Sequence, residues 1–329
     1  MSISIVQMAP TARIIVERVL AIKPRERVCI LTDTQCPQSI TQLLGAMAQA
    51  AGAETVIVTI MPREVGGVDP PPPAAAAIQA TDVIIGQASY SIGHAEMVRE
   101  ALRRGARLCD MWGFNEDMMV RGGATADYTE IKELSQRLAQ VLTSGKEAHF
   151  TTRDGSDLTM SLADRHAHVF AALATKPGEM CAFPDGEAAI SPVEGSAKGI
   201  LVNPFCIEKE EMGFLREGLS LKVDGGAVVE IKGGVAATQL REFLEQTGTS
   251  ARNIAELGLG TNQKTRLGVT VREAKKSWGT AHVALGDNRS FGGKIASPMH
   301  MDMIFREPTL VVDGQTVLKE GRVSIQMPK

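Results

Sequence analysis

The chain has 329 residues, 44% of them hydrophobic and 22% charged, and 35 Lys and Arg stand against 38 Asp and Glu for a formal net charge of -3. That length favours two domains with separate cores, and the near balance of charge argues against disorder and against nucleic acid as a partner. The N-terminus lacks a basic region leading an apolar core, and no stretch nears the roughly 18 apolar residues of a membrane span, so a cytoplasmic protein without a membrane partner is expected.

The first 145 residues alternate between helical and strand patterns. An amphipathic helical run at 10–22 precedes RVCILTD at 27–33, a β-rich run. SITQLLGAMAQAAGA at 39–53 reads as a helix closed by glycine, and ETVIVTI at 54–60 as a second strand. The proline- and glycine-rich insert at 62–77 is a surface loop, its alanines opening the next helix. Two more strands at 80–88 and 105–112 flank a helix at 94–105, and a last helix covers 127–145. This β-α-β order predicts a parallel sheet. The segment after the first strand, LTDTQCPQS at 31–39, carries no glycine fingerprint, which argues against a nucleotide-binding domain.

Beyond residue 145 the texture changes. EAHFTTRDGSDLTMSL at 147–162 reads as two strands joined by a DG turn, and 200–205, 219–234 and 309–325 repeat strand patterns with DG or GG turns around one helix at 235–248. The expected fold is an α/β domain with a parallel sheet over 1–145, then a β-rich α+β domain over 146–329 in which the ligand-type residues gather. The five cysteines are scattered and form no CxxC pair, which argues against a disulfide framework and a thiolate zinc site. Cys29 reads as core; Cys36, in a turn, could place a nucleophile, but no histidine lies near it in sequence.

Of the six histidines, His149, His166 and His168 read as surface or satisfied core positions. His94 follows a strand of the parallel sheet, where open α/β sheets bind ligands, and is a candidate for substrate contact or for a helix N-terminus. The stretch SPMHMDMIF at 297–305 is the most informative. As a strand it sets Met299, Met301 and Met303 on one face and His300 and Asp302 on the other. The segment SWGTAHVALGDNRSFGG at 277–293 leads into it through a turn, so a hairpin brings His282 alongside. Two histidines and a carboxylate on adjacent strands make a facial set for a divalent transition metal. Glu187, after a PDG turn, and Glu256, the lone charge in IAELGL, are carboxylates in small or apolar runs that need a cation. For Glu256 that is a metal, or a salt bridge to Arg252 or Lys264.

FPDGE followed by SP, AELGLGTN, GTAHVALGDN with a downstream GGK, and HMD resemble, in order and approximate spacing, the metal-site motifs of the thermophilic metallo-aminopeptidases of the aminopeptidase T and AmpS type. The likeness covers most of the second domain. It implies a ligand set of Glu187, Glu256, His282, His300 and Asp302 around one or two divalent ions, with Zn2+ expected and Co2+, Mn2+ or Fe2+ as alternatives. It also implies a metallohydrolase that cleaves a C–N amide or peptide bond of a small molecule or short peptide with a metal-activated water, Glu187 or Glu256 acting as general base. A homodimer or larger homo-oligomer is implied too. The chain is shorter than typical members, and Arg289 stands where that family has a tyrosine. Arg289 is therefore a candidate for substrate orientation, or for a surface pair with Asp287 or Glu273.

The chain is also similar, in length and in its GGK and HxD segments, to the 2,5-dihydroxypyridine 5,6-dioxygenases. That resemblance implies the alternative, Fe(II)-dependent ring cleavage with His282, His300 and Asp302 as a facial triad. In that pattern a histidine stands at the place of Glu256, and counterparts of Glu187 and His282 are missing. Their presence here favours the hydrolase.

Overall fold

The protein is described by a computed structural model covering residues 3–209 and 211–325. The chain divides into two compact units, the first running to Tyr128 and taking in Ala171–Asp185, the second comprising Thr129–Phe170 and Gly186–Lys329.

In the first unit five parallel strands lie in the order Glu54–Ile60, Arg27–Asp33, Val83–Gln87, Arg107–Asp110, Met180–Ala182. Both strands expected at 27–33 and 54–60 have those bounds. The buried run of Arg27–Asp33 beside the half-exposed Glu54–Ile60 follows from their places, one inside the sheet and one at its edge. The helices Gln38–Ala50, Pro72–Gln79 and Glu96–Arg103 supply the crossovers. The first helix starts earlier than the apolar spacing predicts, at Ile5, because Ser4 and Gln7 close a capping box around its first turn.

The second unit holds two antiparallel sheets. One orders eight strands as Ala227–Gly233, Leu219–Asp224, Lys198–Val202, Asp157–Ser161, Glu147–Thr151, Thr309–Val312, Gln315–Lys319, Arg322–Val323. The other orders seven as Gly213–Phe214, Cys206–Ile207, His300–Phe305, Ala281–Gly286, Ile254–Gly260, Glu187–Ile190, His168–Phe170. Phe150, Leu158, Leu201 and Leu221 of the first meet Leu257, Leu259, Val283, Leu285, Met301, Met303 and Phe305 of the second in one core, to which the helices Tyr128–Ser144 and Val235–Thr247 add Leu138 and Leu244. Phe150 and Phe305 meet edge to face at 5.2 Å. The methionine face of the 297–305 stretch thus lies in the core, with Met299 partly buried at its rim, and this turns His300 and Asp302 away from it. All five cysteines are free thiols. Among the described residues no helix is long and apolar enough to cross a membrane.

Candidate metal centre

The outward face of the seven-stranded sheet is built by register. Glu256 pairs with Ala284 and Ala284 with Asp302 in one row; Gly258 pairs with His282 and His282 with Ile304 in the next. His300 lies opposite Gly286, and Glu187 opposite Gly260. Strict alternation would put Ile254 and Glu256 on the same side, yet Ile254 sits in the core. A register shift between these two residues makes Ala255 the extra residue and re-aims Glu256 to the outer face, a use of bulges common beside functional sites. Small residues leave the room: a Cβ on Gly258 would stand 2.0 Å from Nε2 of His282.

Five ligand-type side chains converge here as two groups that share one member, Glu187 with Glu256 and His282, and Glu256 with His300 and Asp302; within each group the donor atoms lie within 4.8 Å of one another. Glu187, Glu256, His282 and Asp302 are buried. Glu256 stands between the two imidazoles, its Oε1 3.1 Å from Nε2 of His282 and its Oε2 2.9 Å from Nε2 of His300. His282 and His300 are offset along their strands rather than directly opposed.

The two imidazoles differ. Nδ1 of His300 donates to the main-chain carbonyl of Asp287 at 2.7 Å, so its Nε2 is the atom turned to Glu256 Oε2 and, at 3.5 Å, to Asp302 Oδ1. A carbonyl behind one ring nitrogen is the arrangement that orients a metal-ligating histidine. In the metal-free state burial works against a charged ring, but the facing carboxylates Asp302 and Glu256 outweigh it and push the His300 pKa up to about 11. A proton therefore sits where a cation would go. His282 instead donates from Nε2 to Glu256, and its Nδ1 has no hydrogen-bond partner among the described residues. Burial also works against ionised Glu256, yet the bonds from His282 and His300 bring its pKa down to about 2. Asp302 is held well below the ordinary carboxylate range: burial opposes this, and the Lys275 ammonium and His300 prevail.

Two lysines complete the cluster. On the short helix Val271–Lys276, Lys275 binds Asp302 Oδ2 and reaches Glu208 at 3.5 Å, while Lys276 Nζ lies 2.7 Å from Glu187 Oε2. Sequence reasoning missed both, because adjacent lysines at a helix end read as solvated; the one available signal is that they directly precede the histidine motif. The salt bridge weighed for Glu256 with Arg252 or Lys264 is not formed: Arg252 binds the carbonyl of Val228, and the imidazoles take the carboxylate. Arg289 lies on the rim, its side chain 62% exposed and paired with Asp287 at 2.7 Å. His94 is exposed in the first unit, with Arg99 3.4 Å from its Nδ1. His149 pairs with Asp157 at the surface.

The donor set of imidazole and carboxylates suits a divalent metal of intermediate hardness. A family model described as NicX, 2,5-dihydroxypyridine 5,6-dioxygenase, matches residues 16–325. A 2,5-dihydroxypyridine 5,6-dioxygenase of Pseudomonas putida is 27% identical over 194 residues, 56% of this chain and 55% of the relative, so the matched segment spans about half of the curated relative's length. The solved structure of the dihydroxypyridine dioxygenase of Pseudomonas putida KT2440 shares the fold at a TM-score of 0.82 and 19% identity, covering 99% of both chains. AmpT of Thermus thermophilus shares it at 0.67 and 15%, covering 97% of this chain and 99% of that one. These matches overturn the metallohydrolase expected from the motif order. The physical reason lies at Glu187, whose presence favoured that reading: its neighbouring cation is an ammonium, Lys276. The resemblance to the aminopeptidases is one of fold, and the chain belongs to the 2,5-dihydroxypyridine 5,6-dioxygenase family.

Proposed function

We propose that this protein opens the ring of a small hydroxylated pyridine with molecular oxygen, using one Fe(II) held by Glu256, His300 and Asp302. The observation that carries the reading is the family match over 16–325, which spans every residue of the buried cluster. Bound iron would supply the redox chemistry that lets oxygen react with an aromatic ring. Zinc, expected with a hydrolase, loses its ground with it.

The chain's own residues prepare the site. His300 is pre-oriented by the Asp287 carbonyl and would hold the ion through Nε2 in its neutral form, the ring proton being released to solvent. Lys275 occupies Oδ2 of Asp302, which leaves Oδ1, buried and without a hydrogen bond among the described residues, as the ligand atom. His282 acts through Glu256: its Nε2–H holds Oε1, which would leave Oε2 for the ion. Glu187, tied to Lys276 and 3.6 Å from His282 Nε2, stays outside the ligand set as the carboxylate free to take a proton from a ring hydroxyl.

Charge supports a single ion. The carboxylates Glu187, Glu256 and Asp302, with Glu208 beside Lys275, face two ammonium groups, which leaves two negative charges with neutral imidazoles. One divalent ion neutralises this; two would leave two positive charges in a poorly solvated place. A homodimer or larger assembly is proposed on the family resemblances alone, and sedimentation velocity tests it. For the activity, protein loaded anaerobically with Fe(II) or Zn(II) is mixed with 2,5-dihydroxypyridine and air-saturated buffer. Oxygen uptake matching loss of the ring absorbance, with iron only, is the expected result. Amide or peptide hydrolysis by the zinc form without oxygen uptake by the iron form would refute the proposal.

A further inference from the structure

The GGK motif after the hairpin turn has no ligand in it, yet it shapes the segment that touches His300 from two sides. Phe291 lies against the His300 imidazole at 5.4 Å between centroids and 18° between planes. It is itself boxed by His168 at 5.7 Å and Phe170 at 5.9 Å, both nearer to edge-on. Four residues earlier in the chain, the Asp287 carbonyl accepts from Nδ1 of the same imidazole. Between these contacts the chain is held from beneath. Asn288, fully buried, donates from Nδ2 to Ser191 Oγ at 3.0 Å and Glu194 Oε1 at 2.9 Å, and its Oδ1 accepts from the Ile295 amide at 2.8 Å. Glu194 also accepts from the Lys294 amide at 2.7 Å and pairs with Arg165, whose Nη1 donates to the Gly292 carbonyl at 2.6 Å. Gly292 takes the left-handed conformation that lets the chain turn back, and a Cβ on Gly293 would stand 2.1 Å from the Asn288 amide.

We infer that Phe291 is a positioning residue for the metal ligand His300, and that Arg165, Glu194 and Asn288 form the clamp that keeps it in place. The inference rests on the proposed metal site, not on which ring that site opens. The Asp287 carbonyl fixes the ring nitrogen's direction and Phe291 fixes the plane, so Nε2 is aimed before the ion arrives. Outer contacts of this kind are typically worth about 10- to 100-fold in metal affinity, and an aromatic pair on a half-exposed rim belongs at the lower end.

The test uses Co(II), whose absorption reports coordination without turnover, on the full chain as wild type, Phe291→Ala, Phe291→Tyr and Glu194→Gln. Phe291→Ala is expected to weaken Co(II) binding about tenfold and to shift the visible absorption bands, with the thermal midpoint of the metal-free protein unchanged. Phe291→Tyr keeps the ring and should bind within about twofold of wild type; Glu194→Gln, which loosens the clamp but leaves Phe291 intact, should lose affinity in the same direction as Phe291→Ala. If Phe291→Ala does not fold, Glu194→Gln alone decides, since its rim position spares the core. Wild-type affinity and spectrum in Phe291→Ala, or in Glu194→Gln, would overturn the positioning role while leaving the metal site standing. A wild type that binds no Co(II) would overturn the metal site and this inference together.

Discussion

Gly258→Ala isolates the geometry of the centre in one methyl group. Gly258 lies in the strand Ile254–Gly260 without a left-handed backbone, so alanine strains no dihedral there. Its Cβ, however, would stand 2.0 Å from Nε2 and 2.1 Å from Cε1 of His282, a fully buried ring bonded to Glu256 at 3.1 Å. Either the strands part, an overpacking loss of about 1–3 kcal/mol, or the ring swings off Glu256. The second course costs roughly 1.5–3 kcal/mol instead, for the lost bond to a buried charge. A destabilisation of about 2–3 kcal/mol by either course, at about 2–4 °C per kcal/mol for a unit of this size, lowers the thermal midpoint by about 4–12 °C. Circular dichroism on metal-free protein measures it, and a parallel Co(II) titration should show weakened binding because Glu256 is no longer turned. A midpoint within about 2 °C of wild type with unchanged Co(II) affinity would refute the claim that His282 orients Glu256 across this glycine.

Glu256→Gln keeps the shape but removes the charge between the imidazoles, so desalted protein should carry no iron by elemental analysis; retained iron would exclude Glu256 as ligand. Lys276→Gln leaves Glu187 with no ammonium, so in excess Mn(II) the stoichiometry should rise from one ion per chain towards two, while a value fixed at one would contradict the view that this lysine stands in for a second cation. Burial pushes Glu194 up, but the Lys294 amide, the Asn288 amide and the Arg165 guanidinium outweigh it and hold the pKa to about 2, below its ordinary 4.5. Because the folded value is the lower one, its stabilisation is present above about pH 4.5 and is lost as pH falls towards 2. Urea midpoints of wild type and Glu194→Gln should therefore differ most at pH 6 and draw together as pH falls towards 2, and a difference independent of pH would contradict the assignment.

Much of this was legible in the residues, for physical reasons that differ by place. The strands at 27–33 and 54–60 were bounded by composition, since β-branched runs between turn residues have few other conformations open to them. The Met299, Met301 and Met303 alternation told core face from polar face because a strand's period is two. The pairing of 281–286 with 300–305 followed from the short connection between them. What stayed hidden depends on contacts distant in sequence. The bulge at Ala255 shows only as a mismatch between strands. Lys275 and Lys276 converge on Asp302 and Glu187 only once their short helix docks. The strand Met180–Ala182, which completes the parallel sheet, comes after three strands of the other unit. Function was misread where motif order outweighed charge: Glu187 suggested a second metal, and its neighbour is a lysine.

The most direct test of ring cleavage is mass spectrometry of the product formed from 2,5-dihydroxypyridine by the iron-loaded protein under 18O2. Both labelled atoms in the ring-opened product are the predicted result. A product bearing no label, or an intact substrate under conditions where the protein holds its iron, would contradict the assignment as a ring-cleaving dioxygenase.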